Sequence, residues 1–369
     1  MKLERLVITC GGTGGHFFPG LSIAREFQKQ GGRVCLLLSG EHAEEQREIA
    51  ERFGISARAL PRMPNPRKSP LRFVGGCIGG VIAALGELRR FRAQAMLGMG
   101  SFATLPVVLA AVLRRVPVFL HDGNARIGKA NRCFSRIARA LGTGFPAVNP
   151  ERCRCRLSHT GMPVRPELRR QAGIGRAEAV AALNERFRAG FSPDLPIILV
   201  TGGSQGAAIF NQILPEALSA RKERFQVIHL TGKGKLAEAE RIYGTGNLPR
   251  LLLESCAEME LCLGAADLVF SRSGGSTVAE LALFGKASVL IPYPYAAEGH
   301  QRDNAEYFAV HDAAVIVENS AFTVTAVHGL LDDFFAAPEK WRSRGDGMRR
   351  LAVPDAAERM LAEISAVSD

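Results

Sequence analysis

The side chains most able to move a proton or hold a charged ligand fall at the ends of short apolar runs. His16 closes the stretch Leu6-Val7-Ile8-Thr9-Cys10-Gly11-Gly12-Thr13-Gly14-Gly15-His16. At a helix start its imidazole meets the positive end of the helix dipole, which disfavours a second positive charge. A neutral imidazole beside a bound anion can act as a general base; the plain alternative is a solvated or packed histidine. His121-Asp122-Gly123-Asn124 closes another run, with Asp122 a second candidate base and Asn124 a binder of sugar hydroxyls. An Asx turn explains the same residues structurally.

Arg272-Ser273-Gly274-Gly275-Ser276-Thr277-Val278-Ala279-Glu280 closes a third run. A carboxylate one turn into a helix at a strand end can chelate two ribose hydroxyls. Thr277 and Glu280 also have capping-box spacing, in which the carboxylate only ties down the helix start. Gln301 begins a helix after Pro292-Tyr293-Pro294-Tyr295 and offers an amide to sugar hydroxyls, or else belongs to a polar surface turn. No Asp-x-Asp occurs. Diphosphate charge would then fall to backbone N–H groups, to the hydroxyls of Thr13 and Ser204 and to Arg165 and Arg272. Ser204 is equally a candidate helix N-cap.

Such residues need a scaffold that ends strands in glycine and restarts as helix. The chain writes that unit twice, at Gly11–Gly15 and again at Ile197-Ile198-Leu199-Val200-Thr201-Gly202-Gly203-Ser204-Gln205-Gly206. Two more glycine turns, Gly98–Gly100 and Gly274–Gly275, end apolar runs. Free N–H groups at a helix N-terminus bind anions, and open α/β sheets bind ligands at the C-terminal ends of their strands. The pattern predicts two nucleotide-fold domains facing one another, each holding a phosphate-bearing ligand.

In the first half, strands are expected at Leu6–Thr9, Val34–Ser39, Ala95–Met99 and Val116–His121. Helices are expected at Leu21–Gln30, Ala43–Phe53, Leu71–Arg92 and Thr104–Leu113. The second half predicts strands at Ile197–Thr201, Gln226–Leu230, Arg250–Leu253, Asp267–Ser271, Ser288–Pro292 and Ala313–Val317. Alternating βα units give parallel sheets covered on both faces. Gly161, Pro163 and Pro166 break regular structure, which sets domains at 1–163 and 164–353. A last helix, 354–366, can pack on either domain.

The 369 residues carry a net charge of +11. Lys and Arg exceed Asp and Glu by 26 to 10 over residues 1–165, and fall short by 21 to 26 over the rest. A basic first half suits a polyanionic partner, or simply solubility. One Trp and four Tyr offer little base-stacking surface, against a single-strand nucleic-acid binder. Cys10, Cys35, Cys256 and Cys262 read as small core residues, and Cys153-Arg154-Cys155 lacks zinc-site spacing. A reducing cytoplasm and no signal peptide are expected. The longest uncharged apolar run, Phe73–Gly86, has 14 residues, short of the roughly 20 that cross a bilayer. With Arg62, Arg67, Lys68 and Arg72 before it and Arg89, Arg90 and Arg92 after it, that helix could rest on an anionic leaflet or be buried with basic ends.

The three blocks Gly11–Gly20, Gly202–Ala207 and Arg272–Glu280, in this order over nearly the whole chain, resemble the MurG family of N-acetylglucosaminyltransferases of peptidoglycan synthesis. The resemblance implies an α/β, GT-B fold: two Rossmann-like parallel-sheet domains facing a central cleft. The N-terminal one would serve the acceptor and membrane, the C-terminal one the donor. It implies inverting transfer of N-acetylglucosamine from UDP-GlcNAc to the C4 hydroxyl of MurNAc in lipid I, giving lipid II. No cofactor and no metal ligand are expected from the residues. Thr13, Gly14 and Gly15 would line the site, with His16 as base or phosphate contact.

Asn124, Arg165 and Ser204 match donor-contacting positions. The Cys256 backbone would face uracil. Arg272 and the run Gly275, Ser276, Thr277, Val278, Ala279 and Glu280 would hold diphosphate and ribose, and Gln301 the sugar. Partners implied are the substrates, the anionic cytoplasmic leaflet (as a peripheral protein) and other cell-wall synthesis proteins, but no nucleic acid. The chain departs from the family pattern at Phe102, where Tyr is usual, and at Asp122-Gly123 in place of Glu-Gln. It departs again at Met162 in place of Asn. These changes fall on the acceptor side. Rival readings are another GT-B glycolipid glycosyltransferase, a UDP-GlcNAc 2-epimerase or a non-catalytic nucleotide-sugar-binding protein. A dinucleotide oxidoreductase fits less well, because the first loop is GGTGG rather than GxGxxG.

Overall fold

A computed structural model describes residues 3–11, 14–62, 69–203 and 205–368. Thr13 and Ser204, with Arg67 and Lys68, lie outside the described residues. The chain divides into two compact units: Met1–Arg165 with Val353–Asp369, and Pro166–Ala352.

The first unit is built on β1 (Arg5–Gly11), β2 (Arg33–Ser39), β3 (Ser56–Ala59), β4 (Ala95–Gly98), β5 (Val118–Asp122), β6 (Ala140–Thr143) and β7 (Arg156–His159). They form a parallel sheet in the order β3-β2-β1-β4-β5-β6-β7. Alternate residues of each central strand enter different cores, as the period of two requires. Leu6, Ile8 and Leu36 meet Phe17, Leu21 and Phe27 of the helix Gly14–Lys29. Val7, Cys35 and Met96 lie on the other face with Leu88 of the helix Pro70–Phe91 and Val107 of the helix Leu105–Leu113. The closing helix, Ala356–Ser368, puts Met360, Leu361 and Ile364 into the Leu6–Phe17 core.

The second unit repeats the plan with β8 (Ile197–Thr201), β9 (Gln226–Leu230), β10 (Arg250–Leu253), β11 (Leu268–Ser271), β12 (Ser288–Leu290) and β13 (Ala314–Ile316). The parallel order is β10-β9-β8-β11-β12-β13. Ile198, Val200 and Phe270 pack against Phe210 and Leu214 of the helix Ala208–Ser219, with Val327, Leu331 and Trp341 completing that core.

Both sheets reverse their winding between the first and fourth strands, β1/β4 and β8/β11. In an open α/β sheet that reversal opens a crevice beyond the strand ends where ligands bind. Each crevice is flanked by two of the four glycine turns.

The structure departs from the sequence expectations in local ways. Strands β3, β6 and β7 are four residues each and carry too few apolar residues to announce themselves. The first helix begins at Gly14 rather than Leu21 and takes Pro19 into its second turn, where the proline has no N–H to give the Gly15 carbonyl. The third helix runs Pro70–Phe91, within one residue at each end of the expected Leu71–Arg92, but the 14-residue uncharged run understated how far its apolar character extends. Its stretch Leu71–Phe91 is long and apolar enough to span a bilayer by length and composition. Ala84 and Leu88 nevertheless lie in the sheet core.

Candidate functional site

In the first unit, Gly14 and Gly15 open the helix after β1, and His16 sits in its first turn, half-buried. Space for the imidazole comes from Gly100, after β4. A Cβ there would stand 3.4 Å from His16 Cε1 and 3.5 Å from Asn131 Nδ2, and its φ of +90° suits glycine. Across the winding reversal, the two turns therefore meet at His16.

Asp122, at the end of β5, is buried. Its Oδ1 accepts from the Asn124 N–H at 3.2 Å and from Asn124 Nδ2 at 3.3 Å. Its Oδ2 accepts from the Gly128 N–H at 2.8 Å and from Asn131 Nδ2 at 3.0 Å. The Asx turn is thus formed. Four donors take up the roughly four lone-pair directions of a carboxylate, so Asp122 orders a loop and fixes Asn124. Asn131 Nδ2 also donates to the His121 carbonyl at 3.0 Å, while its buried Oδ1 has no hydrogen-bond partner. His121 Nε2 donates to the Gly161 carbonyl at 2.9 Å, and burial pulls its pKa down. The Arg165 guanidinium lies 5.7 Å from the Phe18 ring centroid. Phe102 packs edge-on to Phe134, with ring centroids 6.1 Å apart.

In the second unit, the helix after β11 starts at Gly275 with Gly274 as N-cap and no side chain capping it. The capping box expected from Thr277 and Glu280 does not form, because the N-cap is Gly274, three residues before Thr277, and Glu280 falls in the second turn. The first N–H groups of this helix are left to a ligand or solvent. Gly203 approaches the same place: a Cβ there would be 3.9 Å from Thr277 Oγ1. Ser276 Oγ is buried without a hydrogen-bond partner, and Val278 packs inward. Ala279 and Glu280 are half-buried.

Gln301 lies in the first turn of the helix His300–Ala309. Its Oε1 accepts from the Tyr293 N–H at 2.9 Å, and its Nε2 is 4.0 Å from a Cβ position on Gly274. Ser273 Oγ donates to the Gln301 carbonyl at 2.8 Å, and Asn304 Nδ2 donates to the Ser273 carbonyl at 3.0 Å. Arg272 is buried between the Phe210 and Tyr293 rings, with Nη1 donating to the carbonyls of Ile291 and Pro292. Cys256, read as a core residue, is half-buried in the β10–helix loop. A hydrogen bond with Cys262 lowers its thiol pKa.

The structure thus gathers Gly14, Gly15, His16, Asp122 and Asn124 in one unit. It gathers Arg272, Gly275, Ser276, Thr277 and Gln301 in the other. Gly100, Asn131, Ser273 and Asn304 were missed as site residues. Gly100 had a signal, since it ends a glycine turn; Asn131 had none, because its partner is nine residues back in a different element. Among the described residues, no group of three or more His, Cys, Asp or Glu side chains is placed to hold a metal. A groove lined by Arg5, Phe27, Arg33 and Glu358 lies at the opposite, N-terminal edge of the first sheet, away from every glycine turn.

Models of the glycosyltransferase family 28 N-terminal and C-terminal domains match residues 6–143 and 197–360. A UDP-N-acetylglucosamine--N-acetylmuramyl-(pentapeptide) pyrophosphoryl-undecaprenol N-acetylglucosamine transferase of Methylobacterium sp. (strain 4-46) is 34% identical over 371 residues, covering 97% of this chain and 95% of the relative. The transferase of the same name from Alkalilimnicola ehrlichii is 35% identical over 368 residues, covering 95% and 96%. Acinetobacter baumannii MurG matches in structure with a TM-score of 0.77 at 24% identity, over 98% of this chain and 99% of that one. UDP-GlcNAc 2-epimerase from Neisseria meningitidis, solved bound to UDP-GlcNAc, shares the fold with a TM-score of 0.70 at 13% identity, over 98% and 99%.

Proposed function

Because the chain belongs to the MurG family of UDP-N-acetylglucosamine--N-acetylmuramyl-(pentapeptide) pyrophosphoryl-undecaprenol N-acetylglucosamine transferases, we propose that it transfers N-acetylglucosamine from UDP-GlcNAc to the C4 hydroxyl of MurNAc in lipid I, giving lipid II. The observation that carries this reading is the pairing of glycine turns with a helix N-terminus at the winding reversal of each sheet.

The acceptor oxygen attacks C1 of the sugar from the face opposite UDP. The C4–OH proton goes to a base, and the C1–O bond breaks with its electrons going to UDP, inverting C1. His16 is the base. Support comes from the filled acceptor capacity of Asp122 and from the position of His16 at the β1/β4 reversal. Gly14 and Gly15 with Thr13 receive the acceptor diphosphate on backbone N–H groups. In the second unit the uncapped N–H groups at Gly275–Thr277 and the Ser276 hydroxyl stabilise charge on departing UDP, with Ser204 and Arg272 alongside. Glu280 takes the ribose hydroxyls, the Cys256 backbone the uracil, and Gln301 Nε2 the sugar hydroxyls, its Oε1 being held by Tyr293. Asn124 and Arg165 complete the donor contacts.

The protein works as a peripheral protein on the cytoplasmic leaflet. Leu71, Val74, Ile78 and Ile82 on one helix are exposed, and so are Val112 and Leu113 at the end of the helix packed against it. Arg72, Arg89, Arg90, Arg114 and Arg115 flank these positions. Burial of Ala84 and Leu88 in the sheet core favours a helix lying on the membrane over one crossing it.

Assay with UDP-GlcNAc and a short-chain lipid I analogue tests the reading. Release of UDP coupled to lipid II analogue supports it. No UDP release above that of a His16→Ala, Glu280→Gln double variant defeats it.

A further inference from the structure

The second glycine turn rests on a neighbouring turn with no space between them. A Cβ on Gly206 would stand 2.1 Å from the Thr231 carbonyl oxygen, and one on Gly232 2.6 Å from the Gln205 carbonyl oxygen. Backbone touches backbone, so a shift of either turn moves the other. Lys235 Nζ donates to the Gln205 carbonyl at 2.8 Å on the exposed side.

On the buried side the Thr231 carbonyl ends a chain of hydrogen bonds that leads into the core. Asn211 Nδ2 donates to it at 3.0 Å. Asn211 Oδ1 lies 3.0 Å from His229 Nε2, and His229 Nδ1 lies 3.1 Å from the Tyr243 hydroxyl. The terminal carbonyl can only accept, and burial keeps the His229 imidazole neutral, so the direction of every bond is fixed. Asn211 must turn its amide nitrogen to Thr231 and its oxygen to His229. His229 must then carry its proton on Nε2, which leaves Nδ1 bare for the Tyr243 O–H. All three side chains are buried, and they come from the helix Ala208–Ser219, β9 and the helix Leu236–Tyr243. A bare packing histidine needs no such polarity.

We propose that Tyr243, His229 and Asn211 form a positioning relay that holds the Thr231–Gly232 turn against Gln205–Gly206 and so sets the second glycine turn for nucleoside-diphosphate binding. His229 is the central positioning residue. Its ligand role rests on the donor assignment of the second unit made above; the relay itself does not.

Two substitutions of His229 separate the relay from plain packing. In His229→Gln the side-chain amide nitrogen falls near the place of Nε2 and still donates to Asn211; in His229→Asn it falls near Nδ1 and does not. In the full-length protein, hydrogen exchange of the Gln205–Asn211 amides should speed up in His229→Asn and return close to the parent rate in His229→Gln. UDP affinity, measured by calorimetry, should fall about tenfold in His229→Asn, with near-parent affinity in His229→Gln. The ¹⁵N spectrum of the parent should show His229 as the Nε2–H tautomer. Equal exchange in both variants and the parent, or an Nδ1–H tautomer, overturns the relay. Parent protein that binds no UDP defeats the donor assignment instead, and exchange still decides the relay.

Discussion

In the first unit a single buried carboxylate, Asp122, collects four N–H bonds and so draws Asn124, Gly128 and Asn131 into one loop. In the second unit no carboxylate plays that part among the described residues at the glycine turns. There the turns are fitted by glycine-to-backbone contact at Gly206 and Gly232, and by neutral bonds from Ser273, Asn304 and the Tyr243–His229–Asn211 chain. The same sheet plan is thus finished by charge in one half and by shape in the other. A charge-ordered loop is sensitive to an isosteric swap that barely alters volume. A shape-ordered turn is touched by charge through single bonds, such as Lys235 Nζ to the Gln205 carbonyl and the Gly234 N–H to Glu254 Oε1, but fails when one carbon is added.

His16→Ala should sharpen that contrast most, since it removes chemistry without touching either scaffold. We expect kcat to fall by about 10²–10⁴-fold with UDP affinity unchanged, read by steady-state kinetics beside calorimetry. Gly206→Ala comes next. Its added carbon clashes with Thr231, and its φ of +64° disfavours a side chain. We expect a loss of about 3 kcal/mol or more in stability together with weakened UDP binding, measured by denaturant unfolding and calorimetry. Asp122→Asn should cost about 2–3 kcal/mol, because an amide nitrogen would face donors. Its kcat should fall while its UDP affinity holds, and parent-like kcat and stability would break the comparison.

Acid should act on the shape-ordered half through His229. Burial pulls its pKa from 6.5 to about 3, so below pH 6.5 the unfolded chain binds a proton that the folded one refuses. Stability is then full above pH 6.5 and falls as pH drops towards 3. The loss is about 2 kcal/mol by pH 5, and chemical denaturation across that range should show it flattened in His229→Gln. The smallest expected effect on stability is that of Ile82→Glu, within about 0.5 kcal/mol for an exposed position. Binding to vesicles of anionic phospholipid, measured by co-sedimentation, should nevertheless drop.

The sequence was most legible where one element carries its own signal. Ile197–Thr201, Gln226–Leu230 and Arg250–Leu253 read as strands with the bounds the structure gives, because apolar residues make up most of each. Ser56–Ala59 and Arg156–His159 did not, since both mix polar with apolar side chains and lack the run of three leucines that marks the equally short edge strand Arg250–Leu253. The glycine turns were legible because backbone geometry demands that residue. The roles of their neighbours were less so. Thr277 and Glu280 have capping-box spacing, yet the helix starts at Gly275, a choice made by the turn rather than by the box. Asp122 was open between base and loop former, and only its contacts with Gly128 and Asn131 narrow the choice.

The helix Ala356–Ser368 returns the chain to a sheet whose first strand was laid down some 350 residues earlier. During synthesis, then, the opening half must wait with Leu6, Ile8 and Phe17 incompletely covered while the other half is made and can fold. A chain stopped short of Met360 would leave its damage at the beginning of the protein, far in sequence from the missing end.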